Sequence, residues 1–558
     1  MDAHPPPHAQ RGHRTHEVTN QPPPREGLDE YAVNRPLLEA VEGFDAGWAH
    51  EQLHEVGRLV GRPDFRRDAE CAHPHPPVLQ THDRWGRRVD EVAYHPAYHR
   101  VLGEAIAAGT HTSAWAQPRP GANVARAAAF MLFAQVEPGH SCPVSMTHAA
   151  IPTLRLAPQL AARWEPRALS RDYDPRLGDP DKPSAILGMS MTEKQGGSDV
   201  RANTTWAVPV EGARTDGHHR LTGHKWFTSA PMSDAFLTLA QTEAGLGCFL
   251  VPTVLPDGTR NAIRVQRLKD KLGNHSNASS EIEYDDADGW LVGEPGRGVR
   301  AIIEMVARTR LDCVLGTTAG MRESVAEALW HARHRQAFGA LLVDQPAMTG
   351  VLADLALEAE AATVTGLRLA RAHDEDADAQ DVAFRRLATP VAKYWVCKRG
   401  PQHAYEAMEC LGGNGYTEAF PLARRYREQP LLSIWEGSGN VIALDVLRVL
   451  AREPEAIEAY AAELASARGA HPPLDAHVEA TLRLAREVAA DPGSSYAQSR
   501  ARALTAGMGV ALQATLLTRH TPSVVAEAFV AVRLGPDRSE HYGESGTPGH
   551  APAILARH

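Results

Sequence analysis

The sequence predicts a protein of α+β class, mostly α, in which two helical regions flank one small all-β unit. Three observations predict it. Apolar residues recur at three- and four-residue spacing before about residue 185 and again after about 298. Between these regions lie short segments, several alternating apolar with polar and punctuated by turn residues. The chain has 558 residues, too many for one compact core, and βαβ alternation is absent.

The elements follow in order. Residues 1–35 hold Pro5 to Pro7, Pro22 to Pro24 and the histidines His4, His8, His13 and His16. This composition predicts a disordered or extended leader, with a metal-binding histidine tract as the alternative. Residues 36–188 read as an N-terminal helical domain, as in EAIAAGTHTSAWAQ and VARAAAFMLFAQVE, with proline-rich breaks. Residues 189–297 read as the β domain: HRLTGHKWFTS, AFLTLAQTE, GCFLVP, NAIRVQRL and SSEIEYDD are strand-like, and Pro256, Asp257 and Gly258 mark a turn. Residues 298–447 read as a helical bundle. There Met348, Val351, Leu352, Leu355, Val364 and Leu367 mark one buried face, and LGGNGY is a short connection. Residues 448–558 form an extra helical domain, rich in Ala, Arg and Glu, with a Pro/Gly/His-rich tail.

Composition excludes several function classes. Hydrophobic content of 43% and charge of 23% are those of an ordinary globular protein. No apolar run approaches the roughly 18 residues of a membrane helix, and the N-terminus lacks a signal-peptide layout, so a cytoplasmic protein is expected. The six cysteines (Cys71, Cys142, Cys248, Cys313, Cys397, Cys410) include no C-x-x-C pair, so neither a metal centre nor a disulfide framework is expected. A net charge of −10 gives no global reason for a polyanionic partner. P-loop, G-x-S-x-G and HExxH motifs are absent, as is a G-x-G-x-x-G in a βαβ setting.

Four stretches carry chemistry. In MTEKQGGSDV, Thr192 and Ser198 offer hydroxyls while Gly196 and Gly197 let backbone N–H groups approach an anion; read alone, it is also a β-turn. In GHKWFTS, the Trp-Phe pair could cover a flat aromatic ligand with Thr228 and Ser229 at its polar edge, or simply pack a strand. RHRQAFGALLVDQP places Arg335 and Gln345 around Phe338 and Gly339, a set suited to a phosphate-bearing ligand. SIWEGSGN sets Glu436 among small residues just before the helix-like VIALDVLRVL, where a dipole-stabilised acid is the plainer reading.

Taken together, MTEKQGGSDV, KWFTS, KLGNHSNASSE, RQAFG, LGGNGY and IWEGSGN resemble, in order and spacing, the acyl-CoA dehydrogenase superfamily. With LKDKLGN, CKRG, SIWEGSGNV and the N-terminal THEVTNQP, the chain looks like its AidB-like, alkylation-response branch, from about residue 15 to at least 450. The resemblance implies the acyl-CoA dehydrogenase fold: an N-terminal helical domain, a central β-barrel and a C-terminal helical bundle, here with an extra C-terminal helical domain. It implies FAD between the β domain and the bundle. Met191, Thr192, Gly197 and Ser198 would bind the cofactor, with Thr192 at the ring's polar edge and Ser198 at the pyrophosphate. Phe227, Thr228 and Ser229 would line the isoalloxazine, and Ile434, Gly437, Ser438 and Asn440 would close the site. Arg335, Phe338 and Gln345, with Gly412 and Gly413, would reach the FAD of a neighbouring subunit, implying a homo-oligomer that in the family is a tetramer.

By the same resemblance Glu436 is the catalytic base. Dehydrogenation of an acyl thioester, the implied substrate class, needs a base on one face for the α-proton while flavin N5 takes the β-hydride from the other. Arg310, in ARTRLDC, matches a supporting arginine. Relatives often carry arginine at the position of His275. AidB-like members can bind DNA through C-terminal basic residues, Arg448 matching one such position. Here residues 445–558 hold eleven arginines, no lysine and thirteen carboxylates, so DNA is not favoured, and Arg448 is expected to pair with Asp445. A DNA-binding flavoprotein with weak dehydrogenase activity, and a flavin oxidase acting on alkylated or nitro compounds, are the alternatives to a dehydrogenase.

Overall fold

A computed structural model describes residues 15–177, 182–211, 217–539, 541–544 and 549–558. His4, His8 and His13 of the leader lie outside the described residues.

The N-terminal region contains α1 (Arg35–Gly43), α2 (His50–Gly61), α3 (Pro63–Ala72), a hairpin of β1 (Val78–His82) and β2 (Arg88–Ala93), then α4 (Pro96–Ala107), α5 (Ser113–Ala116), α6 (Ala122–Val136), α7 (Ser141–Leu154) and α8 (Pro158–Ala168). Prolines open α3, α4 and α8, where the missing N–H costs nothing. Every residue of α6 is buried, as its apolar circumference requires. The hairpin corrects the all-helical expectation for this stretch: β1 and β2 pair antiparallel, with Leu79 opposite Val92.

The leader is also corrected in part. From Pro22 the chain belongs to the body: Arg25, Glu30 and Tyr31 are buried, and Arg25 and Arg66 both pair with Glu30, at 2.6 and 2.5 Å. Arg66 reaches on to Glu323 at 3.0 Å, tying the extended segment and α3 to the bundle.

The central unit has β3 (Leu187–Ser190), β4 (Trp206–Pro209), β5 (His218–Ser229), β6 (Ala235–Thr242), β7 (Gly245–Pro252), β8 (Ile263–Leu268) and β9 (Ser279–Val292). Pairing runs β3-β6-β4-β5-β9-β7, β8 joins β9, and a further β6–β7 pairing closes the sheet into a barrel without an open edge along that ring. One apolar cluster fills the barrel around Phe236, Phe249 and Tyr284; another joins β3, β6 and β7 to α7 and α8.

The C-terminal region begins with α9 (Gly298–Ala301) and the long α10 (Ile303–His334), followed by a small hairpin, β10 (Gln336–Ala337) and β11 (Ala340–Leu341). Then come α11 (Pro346–Arg371), α12 (Ala379–Glu409), α13 (Pro421–Leu432), α14 (Gly439–Arg452), α15 (Pro454–Ala465), α16 (Pro472–Ala490), α17 (Ser495–His520), α18 (Ser523–Leu534) and α19 (Ala551–Leu555). On α11 Leu352, Leu355, Val364 and Leu367 are buried, as the spacing predicts. Residues beyond 448 do not form a core of their own: Leu504, Met508, Leu512 and Phe529 belong to the same apolar cluster as the N-terminal helices and the bundle. The C-terminus closes back on α1 and α11 through Arg557, which pairs with Glu39 and Glu360 at 2.7 Å each.

Candidate active site

The loop between α13 and α14 holds Glu436 in a fixed, unusual conformation. Glu436 has φ +57° and Gly437 φ +114°. The first is a left-handed backbone that costs a side-chain-bearing residue roughly 1–2 kcal/mol. A Cβ on Gly437 would lie 2.9 Å from Ile442 Cδ1, so glycine is needed there. Contacts from two helices hold the turn. Thr309 Oγ1 of α10 donates to Glu436 Oε2 at 2.7 Å, the next residue's Arg310 Nε donates to the Glu436 carbonyl at 3.1 Å, and Lys393 Nζ of α12 donates to the Gly437 carbonyl at 2.5 Å. Asp445 of α14 then pairs with Arg310 at 2.7 Å and with Arg448 at 2.8 Å. Arg448 is thus paired within its helix as the sequence predicts. Arg310 acts on the backbone of Glu436, not on its carboxylate. Ser438, not Glu436, takes the N-cap position of α14. The carboxylate is therefore free of a capping role and aimed at Thr309.

On the barrel, the loop after β3 carries Met191, Thr192, Gly197 and Ser198. Ser198 is exposed and Thr192 half-buried. The loop folds so closely over Thr192 that a Cβ on Gly197 would lie 2.4 Å from Thr192 Oγ1. Its anchor is Glu193, a residue the sequence reading passed over. The buried carboxylate accepts from Thr204 N (2.6 Å) and Oγ1 (2.9 Å), Thr205 N (3.1 Å) and Oγ1 (2.7 Å), Gln195 Nε2 (2.8 Å) and Lys225 Nζ (2.8 Å). Burial alone favours the neutral acid, but Lys225 and these N–H donors hold Glu193 well below the ordinary carboxylate range. The Thr192 carbonyl accepts from Trp226 N at 2.8 Å, joining this loop to β5.

Strand alternation sorts the KWFTS residues. Phe227 is 51% exposed and Ser229 half-buried on one face, whereas Thr228 is buried on the other. Thr228 Oγ1 is hydrogen-bonded to Ser190 Oγ at 2.5 Å inside the barrel, which corrects its expected place beside the ring of a cofactor. Lys269 Nζ sits 3.3 Å from the Trp226 ring centroid and 4.8 Å from that of Phe227, whose ring stays about half exposed.

Cys142 of α7 shows that barrel and bundle converge. Its thiol is pushed up to about 12, chiefly by burial. Cys142, Ala230 of the barrel and the partly buried Trp435 beside Glu436 belong to one apolar cluster, from three separate stretches of chain. Behind Trp435 lies a cavity of about 30 Å³ lined by Gly316, Gly320, Gln429, Leu431, Leu432 and Trp435 among others.

The remaining expected residues lie on outward-facing turns. Phe338, φ +53°, is fully exposed at the tip of the β10–β11 hairpin. Arg335 is bonded to the Asn20 carbonyl (2.5 Å) and Gln345 to the Ala337 carbonyl (2.9 Å), so both brace that hairpin. Gly412 and Gly413 have open space where a Cβ would be. Ile434, Ser438 and Asn440 are exposed beside Glu436. His275 bonds the Lys271 carbonyl (2.6 Å) and stacks on His73.

Comparison with known proteins matches the chain in three successive blocks. The adaptive response protein AidB N-terminal domain matches residues 20–175, the acyl-CoA dehydrogenase middle domain 188–287, and the acyl-CoA dehydrogenase C-terminal domain 296–451. AidB of Escherichia coli is 49% identical over 443 residues, 79% of this chain and 81% of that protein. The chain belongs to the acyl-CoA dehydrogenase family, in its AidB-like branch. Acyl-CoA dehydrogenase family member 11 of Caenorhabditis elegans is 32% identical, over 71% of this chain and 65% of that protein. The crystal structure of the Caenorhabditis elegans protein ACDH-11, in complex with an eleven-carbon CoA thioester, superposes with a TM-score of 0.84 at 25% identity, covering 98% of this chain and 97% of that one.

Members of this family are flavoproteins, and the residues present fit a flat cofactor carrying a pyrophosphate. Phe227 offers a half-exposed ring, Ser229 and Thr192 offer hydroxyls on neighbouring stretches of the chain, and the glycine-rich turn around Gly197 exposes backbone next to Ser198. Thr309, Lys393, Glu193 and Cys142 are the functional neighbours that sequence reasoning missed. Only Glu193 carried a signal, its place inside MTEKQGG. No helix among the described residues is long and apolar enough to cross a membrane.

Proposed function

We propose that the protein is an FAD-dependent oxidoreductase that dehydrogenates an acyl-CoA thioester, with Glu436 as the base that removes the α-proton. The observation that carries this reading is the Glu436 turn. A carboxylate in a left-handed backbone is held by Thr309, braced by Arg310 and Lys393, and left without a capping role. Bound FAD supplies the hydride acceptor. The chain's own residues do the rest. Thr309 fixes the position of the receiving oxygen, and the small residues Gly437 and Ser438 admit the thioester. Met191, Thr192, Gly197, Ser198, Phe227 and Ser229 would hold the cofactor on the barrel side, with Ile434, Gly437, Ser438 and Asn440 opposite.

The fully exposed Phe338 and open Gly412–Gly413 turn support completion of each cofactor site by a second copy of the chain, in a homotetramer of the family's kind.

The test is anaerobic titration of the purified yellow protein with acyl-CoAs of increasing chain length. Bleaching of the flavin by at least one acyl-CoA of the series is the expected result. Failure of every acyl-CoA to bleach it, together with salt-dependent binding of duplex DNA, would replace this reading with that of a DNA-binding flavoprotein. Rapid reoxidation by air after a nitroalkane would point instead to an oxidase.

A further inference from the structure

Three metal-ligating side chains meet at the neck of the β1–β2 hairpin. Cys71 lies in the last turn of α3, His75 follows one helical turn later in CAHPHPP, and His95 takes the N-cap position of α4. Cys71 Sγ is 3.8 Å from His75 Nδ1 and 4.0 Å from His95 Nε2. One ligand atom from each of the three residues lies within 4.8 Å of the others, and the two imidazoles stack with centroids 4.7 Å apart. Cys71 and His95 are half-buried and His75 is exposed, while the other five cysteines are buried.

We propose that Cys71, His75 and His95 bind a transition-metal ion of the zinc class, with water or an external ligand in the fourth position. One thiolate and two imidazoles form a borderline-soft donor set, which selects zinc, cobalt or copper over magnesium or calcium. A tetrahedral ion with bonds of about 2.3 Å to sulfur and about 2.0–2.1 Å to nitrogen places its sulfur and nitrogen ligands roughly 3.6 Å apart. The two sulfur–nitrogen spacings therefore need to close by less than half an ångström. Pro74, Pro76, Pro77 and Pro96 restrict the backbone beside both histidines, so the donors are held on stiff chain.

Loading rearranges protons. The Cys71 thiol proton is released to solvent. His95 Nδ1 now accepts from the Ala97 N–H at 3.2 Å; it gives up that bond and takes the ring proton, so that Nε2 presents its lone pair. His75 Nδ1 now donates to the Cys71 carbonyl at 2.7 Å; it likewise gives up that bond, its proton moving to Nε2, and turns its lone pair to the ion. The consequence lies in the position of the ligands. Cys71 and His75 precede β1 and His95 follows β2, so the ion closes the neck of the hairpin. That hairpin leans on the barrel, Arg88 reaching the Val265 carbonyl at 3.3 Å and Val92 N–H the Met232 sulfur at 3.3 Å.

The test uses full-length flavin-loaded protein in which His4, His8 and His13 are alanine, removing the leader's imidazoles. Cobalt(II) added to about one ion per chain is expected to give the bands of a tetrahedral site, including a sulfur-to-cobalt charge-transfer band, and zinc should bleach them. Cys71→Ser should abolish the charge-transfer band, and His95→Ala should weaken binding at least about 100-fold, at or beyond the top of the range for outer-shell changes. His73→Ala, one residue from the ligands, should leave the bands intact. A second readout needs no substitution at the site: zinc should slow iodoacetamide labelling of Cys71 at least about tenfold, read by peptide mass spectrometry. Cobalt bands without a charge-transfer component, or Cys71 labelling unchanged by zinc, would overturn the proposal.

Discussion

Replacing Glu193 by glutamine should loosen the loop proposed to bind the cofactor without changing any residue proposed to face it. The carboxylate and Lys225 are both fully buried and 2.8 Å apart. Glu193→Gln removes the charge that compensates Lys225 and turns an N–H₂ group toward three of the six donors that the carboxylate now satisfies. Breaking one partner of a buried ion pair costs about 3–5 kcal/mol. Spread over a domain of about 100 residues, that corresponds to a drop on the order of 10 °C or more in melting temperature. The assay is flavin fluorescence during heating, which reports release of the cofactor as the barrel opens. Lys225→Met alone should be comparably costly, because it strands the carboxylate. The double variant Glu193→Gln, Lys225→Met should recover at least about 2 kcal/mol relative to the sum of the singles. The pH sign follows from the lowered Glu193 value: its contribution is present above the ordinary carboxylate range and is lost as pH falls below it. Additive single-variant losses, or a Glu193→Gln melting point within a degree or two of wild type, would refute this account of the loop.

Other expectations concern the base and its surroundings. Thr309→Val removes a hydrogen bond to a charged group, worth about 1.5–3 kcal/mol. It should slow flavin reduction by about 10- to 150-fold in stopped flow, with Thr309→Ser close to wild type; equal rates for valine and serine would count against a positioning role. Gly437→Ala, whose Cβ would press on Ile442, should cut the reduction rate more than about tenfold while flavin content is retained. Burial, with Glu137 nearby, pushes Glu428 up to about 7, above the ordinary value of 4.5. The folded state then holds the proton more tightly, so this stabilisation is full below pH 4.5 and is lost as pH rises through 7, a swing of about 3 kcal/mol. Glu428→Gln should therefore melt higher than wild type at pH 8 and flatten the pH dependence; parallel pH slopes for the two proteins would refute it.

Much of the architecture was legible because burial writes periodicity into the chain. The α11 stripe and the alternating strands of the barrel were readable for that reason. The hairpin of β1 and β2 was not, since VLQTH and RVDEVA are short and flanked by prolines that read as breaks. Composition suggested disorder in the leader, yet Arg25 and Glu30 are ordered by partners on α3 and α10 that no local window contains. Extended helices beyond Leu447 read as a separate domain, although their apolar faces share one core with the bundle. At the site, Glu436 could be found from IWEGSGN, but Thr309 lies 127 residues away and Lys393 reaches the turn from 44 residues away. Thr228 was misplaced although strand parity alone separates it from Phe227 and Ser229.

The most direct measurement compares wild type with Glu436→Gln, both loaded with FAD, during anaerobic mixing with the acyl-CoA that best bleaches the wild-type flavin. Loss of a positioned general base should slow reduction about 10²- to 10⁴-fold while flavin content and melting temperature stay unchanged. Reduction of the glutamine variant at the wild-type rate would contradict the assignment of Glu436 as the base.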